Sequence, residues 1–393
     1  MLFGEKISLT SRIVKKYSSI DLTILGSIIE EHNYRNKSVY TFNLEDNYLD
    51  QQTFEIIGLD HSKIIQYINI KINREKSKDF KVIDIYIKNN YSNQYQLCFC
   101  IKSKCTCSDI YMKSITKYIF NLIKNINNDL DVNIVSCYYH IYVKGLGLKE
   151  KQFNLIYGNP KLCEFIPLEL TGLIESKPIK GIDINISPYS FSRINYNNSI
   201  IVYQKIYDLC YNNISSSKTN NYMIFGRDIY CPAKILTLLK VKWFALTHCP
   251  ITFKDFSDDE MLAPLINNCS LVKKKDYAKN IINLFTSYND NCEEEGSGEG
   301  SGKGSGEGSG EGVDIKWNLI LTSSRNGLGS TMCNMLVKFK HKINQIIYIS
   351  CNRENMEKDF EILLTDRIYN LTQAYISNEF SLTNYNNTIC VLT

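Results

Sequence analysis

The chain has 393 residues, 44% hydrophobic and 22% charged, the composition of a globular protein with room for two or three domains. No run of about 18 uncharged apolar residues occurs, which excludes a membrane-spanning helix. The opening "MLFGEKISLT" has neither a long apolar stretch nor a small-residue cleavage site, so an intracellular protein without a secretory leader is expected. Net charge is +4. The segment 293–312 holds six glutamates and one lysine, which leaves +9 on the rest, a mild basic bias compatible with a phosphate-bearing partner.

The first half alternates strand-like and helix-like patterns. "KVIDIYIKN" (81–89) and "QLCFCIK" (96–102) read as strands, and "SDIYMKSITKYIFNLIKNI" (108–126) as an amphipathic helix. "VNIVSCYYHIYVKG" (132–145) and "FNLIYGN" (153–159) read as strands again. Residues 1–180 are therefore expected to form an α+β domain. The 14 cysteines do not demand a disulfide framework, and reduced thiols are expected. Cys98, Cys100, Cys105 and Cys107 form two C-x-C pairs. Zinc spacing is usually C-x2-C, so these are read as cysteines on one strand face rather than as metal ligands.

From about residue 197 strand and helix alternate with short loops. "NYMIF" (221–225), "KWFALTH" (242–248), "WNLILTS" (317–323) and "QIIYIS" (345–350) are the strands. "NNSIIVYQKIYDLCYNNI" (197–214), "PAKILTLLK" (232–240), "DDEMLAPLINN" (258–268), "GSTMCNMLVKFKH" (329–341) and "RENMEKDFEILL" (353–364) are the helices. This rhythm predicts a doubly wound α/β domain over residues 181–393, with ligands at the carboxyl ends of the strands. The tract 296–312, "GSGEGSGKGSGEGSGEG", interrupts it and reads as an engineered flexible linker. Cys351 follows a strand end, where a reactive thiol would be displayed.

"YRNKSVYTF" (34–42), "LIYGNPKLCEFI" (155–166), "ISPYSFSRIN" (186–195), "SRNGLG" (324–329) and "YISCNRENMEKDFEILL" (348–364) occur in one order. In that order they resemble the S-adenosylmethionine-dependent RNA uracil-5 methyltransferases, which make 5-methyluridine in tRNA and rRNA. The resemblance implies a Rossmann-like class I methyltransferase domain preceded by an RNA-facing α+β domain. It also implies S-adenosylmethionine as cofactor, RNA (tRNA first) as partner, and no membrane. It places Cys351 at the nucleophile that attacks C6 of uracil, and Arg35, Lys37 and Arg325 at RNA-facing positions.

Many of the family's other functional positions are substituted. The first cofactor loop, D-L-x-C-G-x-G in the family, reads "FGRDIYC", with Phe225 at the aspartate and Ile229 and Cys231 near the glycines. Side chains there would fill cofactor volume and narrow the cleft. Thr247 stands at the ribose-binding acid, followed by His248; Asp276 stands on the adenine side. Thr322, Ser323 and Ser324 replace Asp-Pro-Pro, while Arg325, Gly327 and Leu328 remain. Arg193 replaces a glutamine, Leu382 and Tyr385 replace histidines, and Asn387 replaces the glutamate base. An amide cannot accept a proton at neutral pH. The expectation is a catalytically inactive, RNA-binding or scaffolding relative that binds no cofactor. The alternative is an active enzyme with Cys351 as nucleophile and S-adenosylmethionine as donor. Lys273, Lys274 and Lys275 are further candidates for phosphate contact.

Overall fold

The computed structural model describes residues 2–26, 34–41, 59–75, 80–103, 109–142, 152–170, 180–216, 221–290, 315–323, 325–381 and 383–393. The linker 296–312, Cys105, Cys107, Ser324 and Leu382 lie outside the described residues.

Strand β1 (Leu22–Leu25) follows the helix Phe3–Tyr17 and pairs with a strand near the C-terminus, so these first residues join the large sheet. A five-stranded sheet follows: β2 (Lys37–Thr41), β3 (Phe80–Asn89), β4 (Gln94–Ser103), β5 (Asn133–Ile141) and β6 (Asn154–Gly158), ordered as in the chain. Its strands alternate. Ile85, Ile87, Leu97, Phe99 and Ile101 turn to one face and pack under the helices Leu59–Glu75 and Asp109–Leu130. The opposite face is more polar. Strands β7 (Leu162–Pro167) and β8 (Gly181–Ile186) form a ribbon against it, held by the buried pair Lys88–Glu164 at 2.7 Å. The loop after β8 reaches the same face, where Tyr189 donates to Asp84 Oδ1 at 3.2 Å.

The large sheet is built from β9 (Asn221–Gly226), β10 (Lys242–Thr247), β11 (Cys269–Leu271), β12 (Trp317–Thr322), β13 (Ile343–Ser350), β14 (Leu371–Ser377) and β15 (Asn387–Leu392), with β1 at one edge. Its order is β1-β14-β15-β13-β12-β9-β10-β11, parallel except for β15. Strands β9, β12 and β15 are almost continuously buried, as expected of a sheet covered on both faces. Tyr222, Ile224 and Ile320 face one layer, beside the helices Tyr196–Ser216 and Tyr230–Leu238. Met223, Phe225, Leu319 and Leu321 face the other, beside Phe3–Tyr17, Ser330–Lys338 and Arg353–Leu363. Between β9 and β12 the connections diverge to opposite sides, which opens a crevice at their carboxyl ends.

One expected helix differs. "DDEMLAPLINN" contains only a 3-10 segment, Ala263–Asn268. Pro264 sits in its first turn and Leu265 leaves helical geometry, so no regular helix propagates.

Candidate functional site

A cavity of about 1030 Å³ opens at that crevice. The end of β9 supplies Phe225 and Gly226, the end of β12 Thr322 and Ser323, and the end of β13 Ile349 and Cys351. Gly226 has φ +126°, and a Cβ there would lie 2.1 Å from Thr322 Oγ1, so only glycine lets the two strand ends approach. Thr322 Oγ1 donates to the Phe225 carbonyl at 2.8 Å.

The loop after β12 is fixed by one buried carboxylate. In the helix Arg353–Leu363 the stripe Met356, Asp359, Phe360, Leu363 faces inward. Asp359 interrupts that apolar stripe because it accepts the backbone N–H groups of Leu328 (2.8 Å) and Gly329 (3.2 Å) and the Tyr348 hydroxyl (2.6 Å). Asn352 caps the same helix, accepting from Glu354 N and Asn355 N. Its amide also donates to the Arg325 carbonyl at 3.1 Å. The asparagine of the S-C-N triplet thus joins the helix start to the Arg325 loop, a structural role.

Cys351 is half-buried and lines the cavity. Burial and the nearby Glu379 carboxylate push its thiol above the ordinary range, while Arg325 and Arg193 oppose the rise. This environment disfavours the thiolate.

Arg193 dominates the cleft floor. Its Nη1 lies 2.6 Å from Glu379 Oε2, and its Nη2 lies 2.8 Å from Asp228 Oδ2. Tyr203 donates to Asp228 Oδ1 at 2.8 Å, and the guanidinium lies 5.1 Å from the centre of the Tyr203 ring. All four side chains are buried. Burial disfavours the guanidinium charge, but Glu379 and Asp228 outweigh it and hold the Arg193 pKa above its usual value. Burial raises the Glu379 pKa, and Arg193 opposes the rise. Two carboxylates around one arginine are the arrangement that makes a buried cation tolerable.

The rim is cationic. Lys37, Arg227, Lys274, Lys275 and Arg325 all line the cavity. Burial together with the neighbouring cations Lys88 and Arg227 pushes the Lys37 amine down to about 7, against the smaller opposing pull of Cys249 and Glu164. Arg325 stacks on Tyr385 with its guanidinium 4.7 Å from the ring centre. His248 Nδ1 is 2.8 Å from the Tyr277 hydroxyl.

Of the residues singled out in the sequence, Arg193, Phe225, Thr322, Cys351, Asn387, Lys37 and Arg325 meet at this cavity. The cleft is not narrowed by Ile229, Cys231 or Thr247, contrary to expectation. Ile229 and Cys231 turn into the hydrophobic layer beneath β9, and Thr247 accepts the Cys249 N–H at 3.2 Å inside the protein. Asp276 ends a 3-10 turn whose neighbours Lys274, Lys275 and Tyr277 face the cavity while it does not. Arg35 is also absent from the lining; its Nε donates to the Lys37 carbonyl at 2.9 Å. Asn387 is buried, and among the described residues its amide nitrogen has no hydrogen-bond partner. Asp228, Glu379 and Arg227 are site residues that the sequence pattern did not single out. The usable signal was Arg193: a cation buried in a strand-end cleft requires carboxylates close by.

No protein-family profile and no curated protein matches the chain. Among solved structures it is similar to the Pyrococcus abyssi tRNA (uracil-54, C5)-methyltransferase in complex with S-adenosyl-L-homocysteine. That match has TM-score 0.59 and 13% identity, and covers 100% of this chain and 83% of that one. Two weaker similarities are a putative SAM-dependent methyltransferase from Streptococcus mutans (TM-score 0.38, 9% identity, 98% of each chain) and the M. jannaschii tRNA m1G37 methyltransferase (TM-score 0.36, 10% identity, 98% of this chain and 95% of that one). The fold is that of the class I, Rossmann-like methyltransferases. Among the described residues no helix is long and apolar enough to cross a membrane.

Proposed function

We propose that the protein is an RNA-binding pseudoenzyme on a uracil-5 methyltransferase scaffold, holding RNA, tRNA first, at the cationic cleft without transferring a methyl group. The observation that carries this reading is the Arg193–Asp228–Glu379 cluster. S-adenosylmethionine brings a sulfonium and an ammonium against one carboxylate; the lining cations could meet the carboxylate, but the two positive groups need anionic or dipolar partners. Among the described residues of the cavity, the carboxylates are Asp228 and Glu379, and both are paired with Arg193. The remaining charged groups there are cations. Among the described residues this lining thus leaves no unpaired carboxylate for the cofactor's two positive groups, and in that respect it does not fit S-adenosylmethionine. The base position also holds Asn387, which cannot take a proton from C5 of a pyrimidine.

The same lining suits RNA. Lys37, Arg227, Lys275 and Arg325 offer positive charge to phosphates, and the Arg325–Tyr385 pair offers the flat cationic and aromatic surface on which unstacked bases rest. The tRNA named for the Pyrococcus abyssi enzyme motivates the choice of RNA.

The rival reading is an active uracil-5 methyltransferase with Cys351 as nucleophile. It is favoured by the position of Cys351 in the cavity wall near Arg325. Two measurements separate the readings. Calorimetry with S-adenosylmethionine should show no heat of binding, and tRNA retention on a filter should weaken steadily as salt rises. Micromolar cofactor affinity would favour the enzyme, and salt-independent retention would remove the RNA role.

A further inference from the structure

On the polar face of the five-stranded sheet, three chemically different side chains come together from three adjacent strands. Asp84 of β3 stands opposite Cys100 of β4, and Cys100 stands opposite His140 of β5. Directly paired residues project from the same face of a sheet. One carboxylate oxygen of Asp84, the Cys100 sulfur and one His140 ring nitrogen all lie within 4.8 Å of one another. Cys100 and His140 are fully buried, and Asp84 is half-buried.

The surroundings form an enclosure. Tyr189, held at φ +62°, sits over the cluster and donates to Asp84. Its ring centre lies 5.9 Å from that of His140, and Phe153 packs against both rings, 5.5 Å from His140 and 5.5 Å from Tyr189. His140 Nδ1 is 3.4 Å from the Ile141 carbonyl, the kind of backbone contact that fixes which ring nitrogen is offered to an ion. Thiolate, imidazole and carboxylate are the ligand types of zinc, with bonds of about 2.0–2.3 Å. Atoms already this close need only small side-chain rotations to reach one ion.

We propose that Asp84, Cys100 and His140 bind a single divalent transition-metal ion of the zinc type, with the Tyr189 hydroxyl or a water completing four-coordination. On binding, the Cys100 thiol loses its proton to solvent and forms the sulfur–metal bond. The ion ties β3, β4 and β5 together beneath the loop that carries Tyr189 and, four residues on, Arg193 of the cleft. Its role is structural support of that loop, whether the cleft binds RNA or methylates it.

The test uses the full chain, stripped of metal and titrated with cobalt(II) as a spectroscopic substitute for zinc. The expected result is saturation at one equivalent with an intense near-ultraviolet sulfur-to-cobalt band. Cys100→Ser should abolish the band. His140→Ala should weaken affinity more than about tenfold, and Cys98→Ser should leave both unchanged. Because a variant can fail to fold, circular dichroism accompanies each one, and the unaltered chain supplies a second readout: zinc should raise its melting temperature. The absence of a thiolate band in the unaltered chain, or a band that survives in folded Cys100→Ser, overturns the proposal.

Discussion

Arg193 and Glu379 are 186 residues apart in the chain, yet their side chains meet at 2.6 Å on the cleft floor. Arg193 belongs to the loop that follows β8, and Glu379 follows β14, so the contact fastens that loop to the far side of the large sheet. Removing the cation leaves two buried carboxylates without their partner. Arg193→Gln should therefore cost about 3–5 kcal/mol, read as a lower denaturation midpoint in urea. Arg193→Gln combined with Glu379→Gln should cost less than the two single changes added together, because the double change leaves only Asp228 without the cation, where Arg193→Gln alone strands both carboxylates. Strict additivity would mean the two groups do not interact.

Lys37 provides a pH signature. Its amine is pushed down to about 7 by burial first and by Lys88 and Arg227 next. The group is a base with a depressed folded-state pKa, so between about 7 and the ordinary lysine value the unfolded chain holds a proton that the folded chain lacks. Its contribution to stability thus rises with pH across that window. A bound phosphate reverses the local preference by favouring the charged amine. RNA affinity should fall as pH climbs from below about 7 toward about 9, and Lys37→Arg, which stays charged, should flatten the profile. A profile unchanged by Lys37→Arg would place the proton elsewhere.

Cys351 should be cheap to replace. Its side chain is half-buried, its sulfur sits in a cavity wall, and the helix that follows is capped by Asn352 rather than by the thiol. Cys351→Ala should shift stability by less than about 1 kcal/mol. Alkylation of this thiol should be slow at neutral pH and accelerate in alkaline solution, because burial and Glu379 raise its pKa. A large fall in melting temperature would assign Cys351 a packing role.

The alternation of strands and helices from residue 197 onward was legible because parallel strands covered on both faces write continuous apolar runs. "NYMIF" and "WNLILT" became the adjacent strands β9 and β12. The position of Cys351 at a strand end was legible for the same reason. The direction of individual side chains was not. Ile229 and Cys231 were expected to fill the crevice because they replace glycines, but the start of their helix turns both into the layer beneath β9. Arg193 was visible as a substitution, but its partners were not, since Asp228 and Glu379 are distant in sequence and meet it only through the fold. The first strand, Leu22–Leu25, also pairs across the whole chain with β14, a contact that no local pattern announces.

The most direct measurement is incubation of the purified chain with unmodified tRNA and tritiated S-adenosylmethionine, followed by counting of label in the RNA. With Arg193 occupying both cleft carboxylates, no label above background is expected, for the unaltered chain and Cys351→Ala alike. Label that accumulates in 5-methyluridine with the unaltered chain and vanishes with Cys351→Ala would contradict the loss of methyl transfer.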